Sequence, residues 1–564
     1  MASDWRELVA DKRRRQQESI PKDWLISPPP ETALDVTSIP EGCELLSPRE
    51  LLITNTTDIS VLLEKLASAE WTSVEVTTAF YKRAIIAHQL VNCLTEIFVE
   101  RALGRAAELD AHLKATGKVV GPLHGLPVSL KDQICIKGLE TTMGYVSWIG
   151  KYADRDAALT EILYEVGAVP FVRTNVPQTL MWPETFNNVF GRTTNPANRS
   201  LTSGGSSGGE GALIAMRGSP LGVGSDIGGS IRIPALCNGI YALRPSYRRV
   251  PYEGCVNSML GQDSIPSVLG PLSNSLSGVK AFMKAVIGQK PWLKDPLAIR
   301  KHWDEEEYAL VEHGGGKKLC LAIMWNDGIT VPSPPITRAL NMVKQALLTA
   351  GHEVIDWQPL KHADLCRTIS AIWNAGSQRD FEVTTAPTGE PVVATMNLVD
   401  TGVAVASFRP DNAGISAYEL WQVQNTRSQL RKEYLDHWQQ TAHVTGTGRP
   451  VDAIIVPGAT WPAPPHGEFK YTNYTMVWNA LDYPACIFPV TRVDPELDAQ
   501  QPRQEFLNEK DKESYEIYDP AKFWNAPVGL QLIGRTMEEE AVIAMTEIVD
   551  AALKSGHDAK KANL

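Results

Sequence analysis

Ser203-Gly-Gly-Ser-Ser-Gly-Gly-Glu-Gly-Ala-Leu-Ile214 and Gly222-Val-Gly-Ser-Asp-Ile-Gly-Gly-Ser-Ile-Arg232 are two serine-bearing glycine loops in close succession. Glycines this dense permit backbone angles that other residues avoid, and they leave N–H groups bare to face a ligand. Between the loops, Gly209 to Met216 suits a short helix of small residues, and Leu221-Gly-Val-Gly224 suits a short strand. The first loop therefore ends at a helix N-terminus, and Ser230 is expected to open the next helix. Free N–H groups and partial positive charge collect at such ends. A serine among bare N–H groups is what acyl transfer needs: a nucleophile beside an oxyanion site.

Working outward, residues 157–175 read as a helix, Gly167, then the strand Ala168-Val-Pro-Phe-Val-Arg-Thr-Asn175. In Gly125-Leu-Pro-Val-Ser-Leu-Lys-Asp132, Val128 and Leu130 alternate with Ser129 and Lys131, a strand pattern. Taken alone, a lysine at a strand end is a solvated one. Downstream, Leu319–Met324, a helix through Ile336, Leu340, Val343 and Leu347, and His352–Asp356 form a β-α-β unit. Further strands are Asp452–Pro457, Ala485–Val490 and Pro527–Gly534. Helices cover Tyr418–Gln440 and Glu538–Leu553, and another runs from after Pro271 to about Gly288. Residues 370–415 have weak periodicity and receive no assignment. Upstream, Asp4 with Glu7 and Thr72 with Glu75 make capping-box patterns, and residues 22–50 read as a proline-rich extended arm. Strands and helices alternate, which predicts an α/β fold around a largely buried sheet. The expected division is a helical arm over 1–57 and one large domain over 58–564.

The charge of −11 gives no basic footprint for nucleic acid. Lys12-Arg-Arg-Arg15 reads as the wet face of the N-terminal helix, with a targeting signal as the alternative. The eight cysteines include no Cys-x-x-Cys pair, so they are expected to be reduced thiols of an intracellular, cytoplasmic protein. No apolar run approaches ~18 residues, so no membrane span is expected, and the N-terminus shows no apolar signal region. Lys561-Ala-Asn-Leu564 supplies a peroxisomal address as the weaker alternative. The eleven histidines lack ligand spacing, so neither metal nor cofactor is implied. A homodimer stays open.

Three readings of the glycine loops compete. A flexible linker fails on context, because ordered α/β elements flank both loops. A phosphate loop would want a lysine after the glycines, and none follows. A serine hydrolase remains, in two versions. Gly204-Gly-Ser-Ser-Gly208 matches the nucleophile elbow Gly-x-Ser-x-Gly, which would make Ser206 the nucleophile. But Asn198-Arg-Ser-Leu-Thr-Ser203 precedes it rather than a hydrophobic strand, and the candidate bases His437, His443 and His466 sit in no telling setting.

The other version rests on three stretches: Gly204-Gly-Ser-Ser-Gly-Gly-Glu210, Gly224-Ser-Asp-Ile-Gly-Gly-Ser-Ile-Arg-Ile-Pro-Ala235 and Gly125–Asp132. They resemble the amidase signature family, and the resemblance runs from about residue 60 to about 555, through Asn479-Ala-Leu-Asp-Tyr-Pro-Ala485 and Pro527–Arg535. Thr174–Met181 and the Trp5–Lys12 arm make the chain most similar to the fungal acetamidases or general amidases within that family. The resemblance implies a single large domain with a central mixed twisted sheet covered by helices on both faces. It implies a triad of nucleophile Ser230, bridging Ser206 after a cis peptide at Gly205–Ser206, and base Lys131. N–H groups of Ile227, Gly228, Gly229 and Ser230 would form the oxyanion hole. Thr142, Met143, Gly144, Leu180, Met181 and Trp182, with Ser206, would lie near the acyl pocket, and Trp461 and Trp478 would close its far wall. The partner so implied is a small-molecule amide, and bulky residues at that wall favour a small acyl group. An acyltransferase, a partner-dependent glutamine amidotransferase subunit and a non-catalytic acyl- or partner-binding relative are the alternatives.

The chemistry sets its own conditions. A lysine is a base only when neutral, and its ordinary pKa of about 10.4 must fall by several units, which burial can achieve. Leu126, Val128 and Leu130 are apolar as required, while Asp132 would oppose the shift if it pointed inward. Ser207 is expected to hydrogen-bond within the relay, Asp226 and Arg232 to form a structural ion pair, Glu210 to cap or brace the first loop, and Cys237 to be packed core.

Overall fold

The computed structural model describes residues 4–396 and 414–562. Among these, eleven strands build one mixed sheet: β1 (Leu94–Ile97), β2 (Pro127–Lys131), β3 (Val169–Thr174), β4 (Leu221–Asp226), β5 (Tyr241–Arg244), β6 (Val268–Ser273), β7 (Cys320–Ile323), β8 (Glu353–Asp356), β9 (Ala453–Pro457), β10 (Ala485–Arg492) and β11 (Pro527–Ile533). Their spatial order is β1-β3-β2-β4-β6-β5-β10-β11-β9-β7-β8. Most of these strands are buried from end to end, which is why they read as continuous apolar runs rather than as clean alternation. Helices used below are α1 (Trp5–Glu18), α2 (Gly208–Ala215), α3 (Arg232–Asn238), α4 (His362–Asn374), α5 (Ala417–Gln440) and α6 (Asn473–Leu481).

The site is positioned by one register. β2 and β4 run parallel, with Ser129 opposite Gly222 and Leu130 opposite Val223. The C-terminal ends of both strands, Lys131 on one and Ser225 and Asp226 on the other, therefore reach the same end of the sheet. β4 carries glycines because α2 and its loop lie close over it. A Cβ on Gly222 would stand 2.1 Å from Glu210 Oε2, and one on Gly224 would stand 2.7 Å from Ser207 Oγ.

Several expectations change. Lys12 is 3% exposed, not solvated. Its ammonium is bonded to Glu96 and Glu140, and Glu140 also takes the Arg15 guanidinium at 3.1 Å, so the basic run pins α1 to the body. The strand β6, which holds Pro271 opposite Val223, received no assignment, while the helix expected after Pro271 is found at Leu276–Gly288. Residues 22–50 are not wholly extended, since Ser47 caps a helix at Pro48–Asn55. The unassigned region begins within α4 and includes a helix at Ser377–Thr385, while residues 397–413 lie outside the described ones. Among the described residues, no helix is long and apolar enough to cross a membrane.

Candidate active site

Lys131 meets Ser206, and the loop bearing Ser230 lies beside them, its Ser230 carbonyl bonded by Ser207 N–H. Lys131 Nζ lies 2.7 Å from Ser206 Oγ and 2.7 Å from Ser225 Oγ. Lys131 is 0% exposed, Ser206 1% and Ser230 8%, so access opens toward Ser230. The peptide bond Gly205–Ser206 is cis. Gly205 has no room for a side chain, because a Cβ there would stand 2.6 Å from Trp182 O and from the backbone of Glu184. The two loops are stitched together by Ser207: its N–H donates to Ser230 O (3.1 Å), and its Oγ accepts from Ser225 N–H (3.2 Å).

Hydrogen-bond chemistry fixes the direction of the chain behind Lys131. Val256 O can only accept, and Gln133 Nε2 donates to it at 3.1 Å. Gln133 Oε1 therefore faces Ser225, whose hydroxyl donates to it. Ser225 Oγ is left to accept from Lys131 Nζ, whose other bond runs to Ser206 Oγ. Ser225 and Gln133 are functional neighbours that the sequence reading missed. No local pattern pointed to them: Gln133 lies in the turn just after β2, and Ser225 reaches Lys131 only because both strands end side by side.

Burial holds the Lys131 pKa well below the ordinary lysine value, with the charges of Asp226 and Glu210 opposing. Asp132 does not enter this balance. Its carboxylate accepts from Thr95 Oγ1 (3.0 Å), Thr142 Oγ1 (2.9 Å) and Met143 N–H (2.9 Å), and it pairs with Arg173 at 3.4 Å. Glu210 braces β2 and β3, accepting from Ser129 Oγ (2.6 Å) and Thr174 Oγ1 (2.8 Å), and burial pushes its pKa up to about 8.

The loop bearing Ser230 is braced from below. Asp226 takes Arg232 Nε at 2.9 Å and Nη2 at 3.0 Å, with Gly229 N–H (2.9 Å), Ile231 N–H (3.2 Å) and Asn479 Nδ2 (2.8 Å). Burial alone would raise the Asp226 pKa, but the Arg232 charge and these bonds hold it down to about 2. The Gly229 N–H is thus already committed. Among the described residues, no protein group accepts from the N–H of Ile227, Gly228 or Ser230. Ser230 itself precedes α3 by two residues rather than opening it. Thr475 Oγ1 donates to Gly228 O at 2.7 Å, and Asn479 Oδ1 accepts from Arg232 Nη2 at 2.6 Å. These two α6 residues are four apart and so share a helix face.

Met143 and Leu180 form a small buried cluster with Tyr145 and Val176, and Trp182 packs with Val393, Met396 and Phe186. Gly144 lies against Asn187 and Gln178, where a Cβ would meet Asn187 Cβ at 2.9 Å. Trp461 and Trp478 pack away from the loop bearing Ser230. Trp478 belongs to an aromatic cluster with His362, Tyr434 and Tyr483, and Trp461 packs beside Phe469. Trp373 of α4 lies against the loop bearing Ser230. Its ring tip lies 2.7 Å from where a Gly228 Cβ would stand, with Met476 Cγ at 3.5 Å. The histidines of the elbow reading lie elsewhere: His437 bonds Gln358 O, and His466 bonds Arg199 O. Cys237 is buried core, and burial pushes its thiol pKa up.

The Amidase family model matches residues 75–543 of this chain. The chain belongs to the amidase family. It is 43% identical over 557 residues to an acetamidase of Aspergillus oryzae, covering 99% of this chain and 100% of that one. An acetamidase of Emericella nidulans is 41% identical, covering 98% and 99%. Among solved structures, a fatty acid amide hydrolase superposes with a TM-score of 0.88 at 35% identity, covering 98% of this chain and 95% of that one. The peptide amidase of Stenotrophomonas maltophilia, at 19% identity and a TM-score of 0.66, shares the fold, covering 89% and 97%. This amidase is therefore an enzyme that hydrolyses amides on a large α/β domain with a mixed sheet.

Proposed function

We propose that this amidase cleaves a carboxylic amide through an acyl-enzyme on Ser230, with Ser206 as proton bridge and Lys131 as base. The observation that carries the reading is the fully buried Lys131 with its Nζ 2.7 Å from Ser206 Oγ. A lysine placed there without its proton is a base aimed at one serine. Neutral Lys131 takes the Ser206 proton while Ser206 takes that of Ser230, and Ser230 Oγ bonds to the amide carbon. The carbonyl oxygen becomes an oxyanion facing the uncommitted N–H groups of Ile227, Gly228 and Ser230, at about 3–4 kcal/mol per donor. Collapse breaks the C–N bond. Ser206 protonates the leaving nitrogen and recovers its proton from Lys131, which ends neutral. Water then cleaves the ester by the same relay.

The substrate reading is a short acyl amide. Trp373 and Met476 crowd the loop at Gly228, and the relatives at 43% and 41% identity are named acetamidases. A second reading, a long-chain acyl amide, draws on the likeness to a fatty acid amide hydrolase. The test is labelling by a serine-directed fluorophosphonate with peptide mapping, alongside a panel of primary amides from two carbons upward. Label on Ser230, ammonia release, and loss of both in Ser230→Ala and Lys131→Met are expected, with kcat/KM falling as the acyl chain lengthens. Label on Ser206, or full turnover in either variant, would overturn the triad. A rise with chain length would move the substrate to the second reading.

A further inference from the structure

Arg244, Arg248, Arg427 and Arg431 line one pocket of about 280 Å³, with Asp482 and Asn479 in its wall. Four guanidinium groups in so small a space repel one another, and a cation taken from water needs a counter-charge. The protein supplies little. Asp482 pairs with Arg244 at 2.8 Å. Asp263, also at the pocket, is exposed, and among the described residues no carboxylate pairs with Arg248, Arg427 or Arg431.

The donors are correspondingly unspent. Arg244 is 2% exposed and gives Nη1 to Tyr483 O (2.9 Å) and Nη2 to Asp482, while its buried Nε has no acceptor. Arg248 Nε is likewise buried without an acceptor. Arg427 uses Nε on Ala480 O (2.8 Å) and Nη1 on Ser264 O (2.6 Å), and among the described residues its Nη2 has no acceptor. Burial and the Arg431 charge, joined by Arg244 and opposed by Asp482, hold the Arg427 pKa down to about 10. Guanidinium forks match carboxylate and phosphate oxygens in pairs.

We propose that this pocket is a binding site for a small doubly charged oxyanion of the phosphate or dicarboxylate class. Two charges are what four arginines beside Asp482 and Asp263 leave uncompensated. The site is separate from the catalytic serines, yet it shares Asn479 with the Asp226–Arg232 pair beneath the nucleophile loop. An occupant therefore contacts the element that steadies that loop.

The test is thermal unfolding and titration calorimetry of the full chain with sodium phosphate and, separately, sodium succinate, against sodium chloride at equal ionic strength. One anion is expected to raise Tm saturably, by roughly 2 °C when it stands about 100-fold above its Kd. The rise should vanish in Arg248→Gln/Arg431→Gln, both of whose arginines are only half-buried. Arg431→Gln alone should weaken Kd by roughly 10-fold in calorimetry, which keeps the test valid if the double variant folds poorly. Response to phosphate or to succinate assigns the class. An equal rise in wild type and variants would mark general ion exclusion from the surface, which phosphate also causes, and would overturn the site. So would the absence of a saturable response to either anion.

Discussion

Replacing Asp226 by asparagine keeps the shape of the brace under the nucleophile loop and removes its charge. The asparagine oxygen can take the place of Oδ1, which accepts from Gly229 N–H at 2.9 Å, Asn479 Nδ2 at 2.8 Å and Arg232 Nη2 at 3.0 Å. Its amide then stands where Oδ2 accepted Arg232 Nε at 2.9 Å and Ile231 N–H at 3.2 Å, donor against donor. Arg232 keeps Thr475 O and Asn479 but is left a buried cation without its counter-charge. Breaking such a pair costs about 3–5 kcal/mol. At about 2.1 cal/mol/K of unfolding entropy per residue, a chain this long loses about 3–4 °C of Tm. Catalysis should fall more steeply than stability, because Ile231 follows Ser230 and the loop loses its anchor. Differential scanning calorimetry and initial-rate kinetics on the folded variant read both effects. The decisive control is Asp226→Asn/Arg232→Met, which removes the stranded cation and should recover most of the lost Tm without recovering kcat. Wild-type Tm and kcat in Asp226→Asn would refute the reasoning, as would a double variant less stable than the single one.

Three further outcomes follow from the same geometry. Because Lys131 works as base only when neutral and burial lowers its pKa, kcat/KM should climb with pH through a midpoint well below the ordinary lysine value; a rise centred near pH 10.5 would refute the buried-base reading. Ser225→Ala should lower kcat by roughly 10²-fold with KM little changed, since the lysine loses the acceptor that holds its amine beside Ser206, and circular dichroism should stay native. Gly205→Ala should lose activity and several degrees of Tm, because its Cβ would stand 2.6 Å from three backbone atoms that cannot rotate away, and an active, stable variant would show that this loop gives more than the packing allows.

How far the site could be read from the sequence follows from where its parts lie in the chain. Ser206, Ser230 and Lys131 sit inside short runs of unusual composition, whereas the register that pairs β2 with β4 is a long-range contact that neither run reveals. Thr475, Asn479 and Trp373 come from distant helices that look ordinary in sequence, and only packing onto the loop gives them a role. Trp461 and Trp478 show the converse, since large aromatics fill whichever void is deepest, and here that void is the core. The Lys12 run misleads for a related reason: its acidic partners, Glu96 and Glu140, are more than 80 residues away. β6 went unassigned by local rule, because a proline argues against a central strand, yet Pro271 sits in β6 between β4 and β5.

The charges around Lys131 form a pattern that no single residue reveals. Three carboxyl groups lie close enough in sequence or space to hold this lysine in its charged form, and each is dealt with separately. Asp132 is turned onto Arg173 and three donors. Asp226 is paired with Arg232, and its pKa of about 2 marks it as a settled anion. Glu210 is buried against two hydroxyl donors, and with its pKa pushed up to about 8 much of it is uncharged at neutral pH. What remains at Lys131 is mainly desolvation, which favours the neutral amine. A buried lysine normally needs a counter-ion to survive folding. Here the counter-ions are present but spent on other partners, which is the condition for a lysine that gives up its proton and can take one from Ser206.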